Sequence, residues 1–144
     1  VGLNPYSQSI SVDNDVYFVS MFDHKTALVQ KINAKNDKVT NLFKASSIAY
    51  SAKKNALVCL YATYYDKNKR FFIHDLATGK ETELDMTDLK SPQQVNVDHY
   101  GNIYVIDNPS YTAPSEVFYY SPEGKLIQGH IQVGYSAQNI RFAN

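Results

Sequence analysis

Short runs of apolar residues, separated by polar turns, recur from one end of the chain to the other. The most apolar runs are "VYFVS" from Val16, "ALVCLY" from Ala56 and "IYVID" from Ile103. Runs of this length, bounded by turn residues and rich in β-branched and aromatic side chains, are typical of β-strands. Helical periodicity is absent, and "DMTDLKS" offers one helical turn at most. The pattern predicts an all-β fold.

The predicted strands fall into units of four. Each unit begins with a short alternating strand, namely "SISV", "SIAY" or "QVNV", and a tight turn, namely "DND", "SAKKN" or "DHYGN". The apolar strand and a longer connection follow. A third strand comes next ("LVQKIN", "FFIHDL", "VFYYS"), and a second turn leads to a polar last strand ("VTNLF", "ETELD", "LIQGHIQV"). Gly79 and Gly124 lie in that second turn, where we expect them to supply a left-handed backbone.

The units repeat in register, and even the opening phrase "VGLNPYSQSI" returns near the end as "VGYSAQNI". An interval of about 44 residues with four strands per unit is typical of β-propeller blades. A β-sandwich also uses short, regularly spaced strands, but recurrence of the four-part unit favours the propeller. We predict one partial propeller domain over 1–144, with blades at about 4–44, 45–90 and 91–134 and a closing strand at 135–144.

Three blades do not make a closed ring, since propellers use about four to eight. An open arc leaves apolar blade faces and strand edges uncovered. Preceding blades of a longer parent protein, a second copy of the chain, or another protein would cover them. We favour the C-terminal part of a longer propeller, in which "NIRF" closes the ring by joining the first blade.

Composition and charge narrow the range of functions. The 14 basic residues balance the 14 acidic ones, so no net field attracts nucleic acid or an anionic membrane. No apolar run reaches the length of a membrane span. Twelve tyrosines and seven phenylalanines suit a pleated, half-buried sheet. The single cysteine, Cys59, lies in an apolar run, where we expect a buried, inert thiol.

Few residues of the sequence suggest a catalytic or metal-binding site. Asp13 and Asp15 lack the glycine and distal glutamate of a calcium loop and are better explained by a hairpin turn. The histidines, His24, His74, His99 and His130, stand in four separate segments. No G-x-S-x-G elbow occurs, and "ATGK" lacks the first glycine of a phosphate loop. We predict no catalytic residue, no metal and no cofactor.

Several motifs resemble a known family. They are "VGxNP" before an inner strand (Val1, Gly2, Asn4, Pro5), "VDxxGNIYVxD" (Asp98, Gly101, Asn102, Tyr104, Asp107) and "YSPEGKLI" (Ser121, Gly124, Lys125). The chain resembles the seven-bladed surface-layer or cell-surface propellers of Bacteroidetes. That resemblance implies an exported, lipoprotein-like protein of the cell envelope. It also implies binding of a small nutrient, such as a corrinoid, on one face of the ring.

An enzyme of lactonase or lyase type is the alternative function. Propellers similar to gluconolactonases carry acidic metal ligands on their inner strands. The predicted inner strands here offer Ser9, Ser11, Ala49, Asn96 and Arg141, without a carboxylate. The alternative therefore requires metal ligands in blades outside this sequence.

One face of the predicted propeller collects rings and amides. The connections between second and third strands, and those leading into each inner strand, emerge on the same side of a propeller. Aromatic rings stack and amides hydrogen-bond with direction, which suits a small molecule, a glycan or a protein loop. We predict a non-enzymatic binding or scaffold function. The candidate ligand-binding residues are Tyr6, Gln8, Phe22, His24, Tyr64, Tyr65, Gln93, Gln94, Asn108 and Tyr111, with Asp23, Asp66, Gln138 and Asn139 beside them.

Overall fold

The chain folds into strands joined by turns and loops. The computed structural model describes residues 5–10, 13–21 and 25–143, with the side chains of 5–8 and 10 left out of the description. The strands are β1 (Pro5–Ile10), β2 (Val16–Met21), β3 (Ala27–Ile32), β4 (Val39–Lys44), β5 (Ser47–Ser51), β6 (Ala56–Tyr61), β7 (Arg70–Asp75), β8 (Glu81–Glu83), β9 (Pro92–Val97), β10 (Ile103–Asp107), β11 (Glu116–Tyr120) and β12 (Leu126–Gln132). These ranges contain no helix that could cross a bilayer. The all-β prediction is confirmed.

The strands form three four-stranded antiparallel sheets, each in simple meander order. We call them blade 1 (β1–β4), blade 2 (β5–β8) and blade 3 (β9–β12). Strand β5 contacts both β1 and β9, so the first strands of the blades lie side by side. Meanders whose first strands share one centre define a partial β-propeller, as predicted.

Two inner strands begin earlier than the alternating pattern predicted. Strand β1 starts at Pro5 rather than Ser9, and β9 starts at Pro92 rather than Gln94. Proline is tolerated as the first residue of a strand, where its missing N–H removes no interior ladder bond. The alternation of polar and apolar residues is recognisable only from Ser9 and from Gln94 onward, and proline is uncommon in strands, so the pattern misses both proline starts.

Blade 2 is packed on both sides, and β6 shows how. Leu57, Cys59 and Tyr61 belong to the cluster shared with blade 1, whereas Val58 and Leu60 belong to the cluster shared with blade 3. Side chains alternate between the faces of a strand, so a strand buried on both faces reads as a continuous apolar run. Cys59 has no exposed surface, as predicted, and burial raises the pKa of its thiol well above the ordinary value.

The turn between third and fourth strands repeats one backbone feature in every blade. Gly79 and Gly124 have φ angles of 72° and 82°, as the sequence predicted, and blade 1 places Asp37 at φ 55° in its turn. The amide of Gly79 donates to the carbonyl of Asp75 at 2.8 Å, and that of Gly124 donates to Ser121 at 2.9 Å. The left-handed residue lets each chain reverse within a few residues.

The segment after β12, residues 133–143, lies along the side of blade 3 that faces away from blade 2. The Ala137 amide donates to Ser115 Oγ at 2.9 Å, and Asn108 Nδ2 donates to the Ala137 carbonyl at 3.4 Å. Farther along, the Phe142 and Tyr104 ring centroids are 5.0 Å apart. The segment forms no strand of its own. Closure of a ring by Asn139–Phe142 would need a strand from a further blade, and it stays a prediction.

Candidate functional site

The longer connections of the blades gather on one side of the molecule, which we call the loop face. They comprise 62–69 between β6 and β7, 84–91 between β8 and β9, 108–115 between β10 and β11, and 133–138 after β12. The Ser115 amide donates to the Gly134 carbonyl at 3.2 Å, and the Val133 amide donates to Ser115 at 2.9 Å. These bonds join two of the connections. The short hairpin turns 52–55, 76–80, 98–102 and 121–125 lie on the opposite side, the turn face.

Tyr64 and Tyr65 form an exposed aromatic pair on the loop face. Their side chains are 96% and 63% exposed, and their rings stand perpendicular with centroids 5.4 Å apart. Perpendicular contact is a favoured geometry for aromatic rings. The pair predicted from the sequence is therefore brought together at the tip of one connection.

Asp66 holds the connection that presents this pair. Its carboxylate accepts hydrogen bonds from the Asn68 amide at 2.9 Å and the Tyr61 hydroxyl at 3.0 Å. These bonds, from the amide first and then the hydroxyl, lower the pKa of Asp66, so the group stays ionised near neutral pH. The buried Tyr61 thus anchors a loop whose other tyrosines point outward.

Two further tyrosines project from other connections of the same face. Tyr111 is 99% exposed and lies between Ser110 and Thr112, whose hydroxyls are 3.3 Å apart. Tyr135 is 66% exposed and follows Gly134. Sequence reasoning missed Tyr135. The available signal was an aromatic residue directly after a glycine in a connection leading to a predicted inner strand.

The predicted amides near these rings mostly hold the backbone. Gln93 Nε2 donates to the Ser91 carbonyl at 3.1 Å, and Asn108 Nδ2 donates to the Ala137 carbonyl at 3.4 Å. Asn108 Oδ1 is buried and accepts no hydrogen bond within the described part of the chain. Gln94 lies in β9 opposite Ile106. Because Val95 faces blade 2, alternation points Gln94 to the other side of blade 3. A ligand-binding role for these amides stays a prediction.

Other predicted residues are placed only in part. Tyr6 and Gln8 lie in β1, but their side chains are outside the description. Phe22, Asp23 and His24 lie outside the described residues. Gln138 and Asn139 are exposed in the segment after β12. Their roles stay predictions.

A buried carboxylate fixes the path between blades 2 and 3 beneath the loop face. Asp107 has no exposed surface and accepts hydrogen bonds from the Ser91 and Lys90 amides at 2.5 and 3.1 Å. Lys69 Nζ donates to the Lys90 carbonyl at 3.0 Å, which ties connection 62–69 to connection 84–91. A buried carboxylate held by backbone amides acts as a structural anchor.

The described histidines lie apart from one another. His74 Nδ1 is 3.5 Å from Glu81 Oε1 on blade 2, and His130 Nδ1 is 2.9 Å from Glu116 Oε2 on blade 3. The His99 and Tyr100 rings are tilted at 43° to each other, with centroids 3.7 Å apart. Within the described ranges, no three His, Cys, Asp or Glu side chains form a group that could hold a metal ion.

Comparison with known proteins supports the fold and leaves the function open. No family model matches the chain, and no curated protein matches it in sequence. A gluconolactonase from Xanthomonas campestris is similar in structure, with a TM-score of 0.69 and 14% identity over 92% of this chain and 49% of that protein. TolB from Acinetobacter baumannii is similar with a TM-score of 0.68 and 13% identity, over 91% of this chain and 33% of that protein. A third similar structure is the propeller domain of the Trilobed protease from Pyrococcus furiosus, which has an open velcro topology. Its TM-score is 0.64, with 10% identity over 90% of this chain and 42% of that protein.

The class of protein follows from the blades and these matches: the chain has a β-propeller fold. It spans half or less of the length of each of these solved structures. At such low identity the likeness concerns the fold alone, since one propeller fold serves many functions.

Proposed function

We propose that the chain is part of a non-enzymatic binding or scaffold propeller of the bacterial cell envelope. Its loop face holds a small molecule, a glycan or a protein loop. The resemblance of its sequence motifs to cell-surface propellers supports both the binding role and the envelope location.

The observation that carries this proposal is the one-sided placement of exposed tyrosines. Five tyrosines of the described chain are exposed, and four of them, Tyr64, Tyr65, Tyr111 and Tyr135, lie on the loop face. The fifth, Tyr100, lies on the turn face. Exposed aromatic residues concentrated on one face mark an interaction surface more strongly than scattered ones do.

The chemistry of these rings suits adaptable recognition. Tyrosine provides a large rigid contact area at low cost in side-chain entropy, and its hydroxyl adds a directional hydrogen bond. The connections beneath are held by Asp66 and Asp107, so the rings project from a braced backbone. Preorganisation of this kind lowers the ordering cost of binding.

The test is substitution of the aromatic pair. We expect Tyr64→Ala with Tyr65→Ala to weaken binding by about tenfold or more, as loss of an aromatic anchor does. Cyanocobalamin and a panel of soluble oligosaccharides are the first probes, measured by calorimetry on the longest form of the protein. Tyr100→Ala is the matched control, because Tyr100 is about as exposed as Tyr65 but lies on the other face.

Both variants remain folded if the melting temperature stays within a few degrees of the parent. A probe that binds the Tyr64/Tyr65 double variant as tightly as the parent, or that loses affinity with Tyr100→Ala instead, contradicts the loop-face assignment.

A lactonase- or lyase-type enzyme is the second candidate function. It rests on similarity to two structures, the gluconolactonase from Xanthomonas campestris and a second protein described as a putative gluconolactonase. In this candidate the metal ligands come from further blades that complete the ring, supplied by the parent chain or by a second copy. A stoichiometric metal ion in a form of the protein that has all blades of the ring and hydrolyses a lactone would favour this candidate over the binding proposal.

A further inference from the structure

A small cavity opens between blades 2 and 3, close to the turn face and away from the tyrosines of the loop face. Its volume is about 220 Å³. Pockets for drug-sized ligands measure about 300–1,000 Å³, so this cavity suits only a smaller molecule. Its floor is apolar, formed by Ala56 and Ile73 of blade 2.

The rim of the cavity carries polar groups that the fold leaves unused. Lys80 and Thr82 line it, and neither the Lys80 ammonium nor the Thr82 hydroxyl has a partner among the described residues. Lys54 lies on the same rim, where its Nζ is 3.6 Å from Glu123 Oε1 of blade 3. With the Glu123 side chain 69% exposed, this ion pair is weak.

One oxygen of the second rim carboxylate, Asp75, is engaged by its own turn. Asp75 Oδ1 accepts from the Thr78 amide at 2.7 Å, the Thr78 hydroxyl at 2.9 Å and the Ala77 amide at 2.9 Å. The Thr78 amide and hydroxyl are the main causes of its lowered pKa. The turn therefore engages Asp75, and Glu123 is the one rim carboxylate that an incoming anion must displace.

We propose that this cavity binds a small carboxylate anion with a short hydrocarbon body. Its carboxylate lies between the Lys80 ammonium and the Thr82 hydroxyl, and it displaces Glu123 from Lys54. The hydrocarbon packs on Ala56 and Ile73. Apolar contact plus a few convergent polar groups is the usual composition of a small-molecule site. This site is separate from the loop face, and the inference does not depend on the proposed function.

Butyrate is the probe, followed by amide chemical shifts in NMR titrations at constant ionic strength. We expect saturable shifts confined to residues around the cavity. Butylammonium has the same hydrocarbon and the opposite charge, and we expect no binding. Inorganic phosphate, which lacks the hydrocarbon, should bind more weakly than butyrate.

Two variants should change the affinity for butyrate in opposite directions. Lys80→Gln should weaken butyrate binding about fivefold or more, as loss of one ammonium–carboxylate contact does. Glu123→Gln should strengthen binding, because it removes the competing carboxylate. Lys35→Gln is the control, since Lys35 is exposed in the corresponding turn of blade 1, and it should leave butyrate affinity unchanged.

Unaltered affinity in Lys80→Gln overturns the proposal, as does butylammonium binding as tightly as butyrate. Shifts that stay linear and spread over the whole chain also overturn it, since they indicate unspecific association. An NMR spectrum like that of the parent serves as the control that each variant is folded. Tyr64→Ala with Tyr65→Ala should leave butyrate binding intact, so failure of one proposal is distinguishable from failure of the other.

Discussion

Tyr104 shows at the residue scale how one turn holds the hydroxyl of a half-buried tyrosine. Asp98 accepts hydrogen bonds from the Asn102 amide at 2.8 Å and the Tyr100 amide at 2.9 Å. The Tyr104 hydroxyl donates to the same carboxylate at 3.3 Å. The motif quoted from the sequence as "VDxxGNIYV" is therefore a hydrogen-bonded turn, and its role is structural.

The pKa of Tyr104 predicts a loss of stability in alkali. Burial, and then the charge of Asp98, raise its pKa to about 12. The unfolded chain has the ordinary value near 10. As the pH rises from about 10 to about 12, Tyr104 loses its proton in the unfolded chain before it does so in the folded chain. The stability that neutral Tyr104 contributes is therefore fully present below about pH 10 and is lost as the pH rises towards 12.

Tyrosinate absorbance during an alkaline titration measures this. We expect a late ionisation step near pH 12 that disappears in Tyr104→Phe and persists in Tyr111→Phe, whose side chain is exposed in the parent. Tyr120 ionises later still, because deeper burial raises its pKa further. Persistence of the late step in Tyr104→Phe would assign it to another tyrosine.

At the element scale, the β11–β12 turn of blade 3 lies close to Leu84, which directly follows strand β8 of blade 2. A Cβ atom added to Gly124 would meet the side chain of Leu84 on blade 2, whereas one added to Gly79 meets nothing within 4 Å. Both glycines have a left-handed backbone. A side chain at Gly79 would therefore cause backbone strain alone, whereas a side chain at Gly124 would cause both backbone strain and crowding against Leu84.

Substituting each glycine by alanine tests this difference. Gly79→Ala should lower the free energy of unfolding by about 1–2 kcal/mol, the cost of a left-handed residue with a Cβ. Gly124→Ala should lose about 1–3 kcal/mol more, because the packed blade interface must also adjust. Urea denaturation of both variants provides the comparison, and equal losses would show that Leu84 moves aside freely.

On the scale of the whole molecule, blade 3 depends on the segment after β12. The contacts of that segment at Tyr104 and at Asn108 flank Ile106, which is fully buried. In a complete ring this side of blade 3 would face a further blade. Here the segment itself lies along it.

Deleting 135–144 should therefore expose Ile106 and destabilise the chain. Exposure of one isoleucine costs about 1.5–3 kcal/mol, so we expect a lower melting temperature and increased binding of a hydrophobic dye. Deletion of 143–144 alone is the control, because it keeps Phe142 against Tyr104. If the longer deletion melts like the control, other contacts cover Ile106.

The candidate site was predictable in part. Tyr64, Tyr65 and Tyr111 were found because rings in long connections between strands have no core to fill. Gln93 and Asn108 were selected by the same rule, yet their amides bond to neighbouring backbone, a pairing that depends on where connections from different blades meet. Tyr135 was missed because its connection was assigned to a closing strand.

The sequence by itself determined the strands, the four-strand unit, the buried Cys59 and the left-handed turns at Gly79 and Gly124. Each of these depends on local backbone preference or on alternation within one strand. Only the tertiary structure decided the proline starts of β1 and β9, the clamp by Asp107 and the position of the last segment on blade 3. It alone brought Lys54 and Glu123 together at one cavity. These features join residues far apart in the chain, and packing of one blade on another sets their geometry.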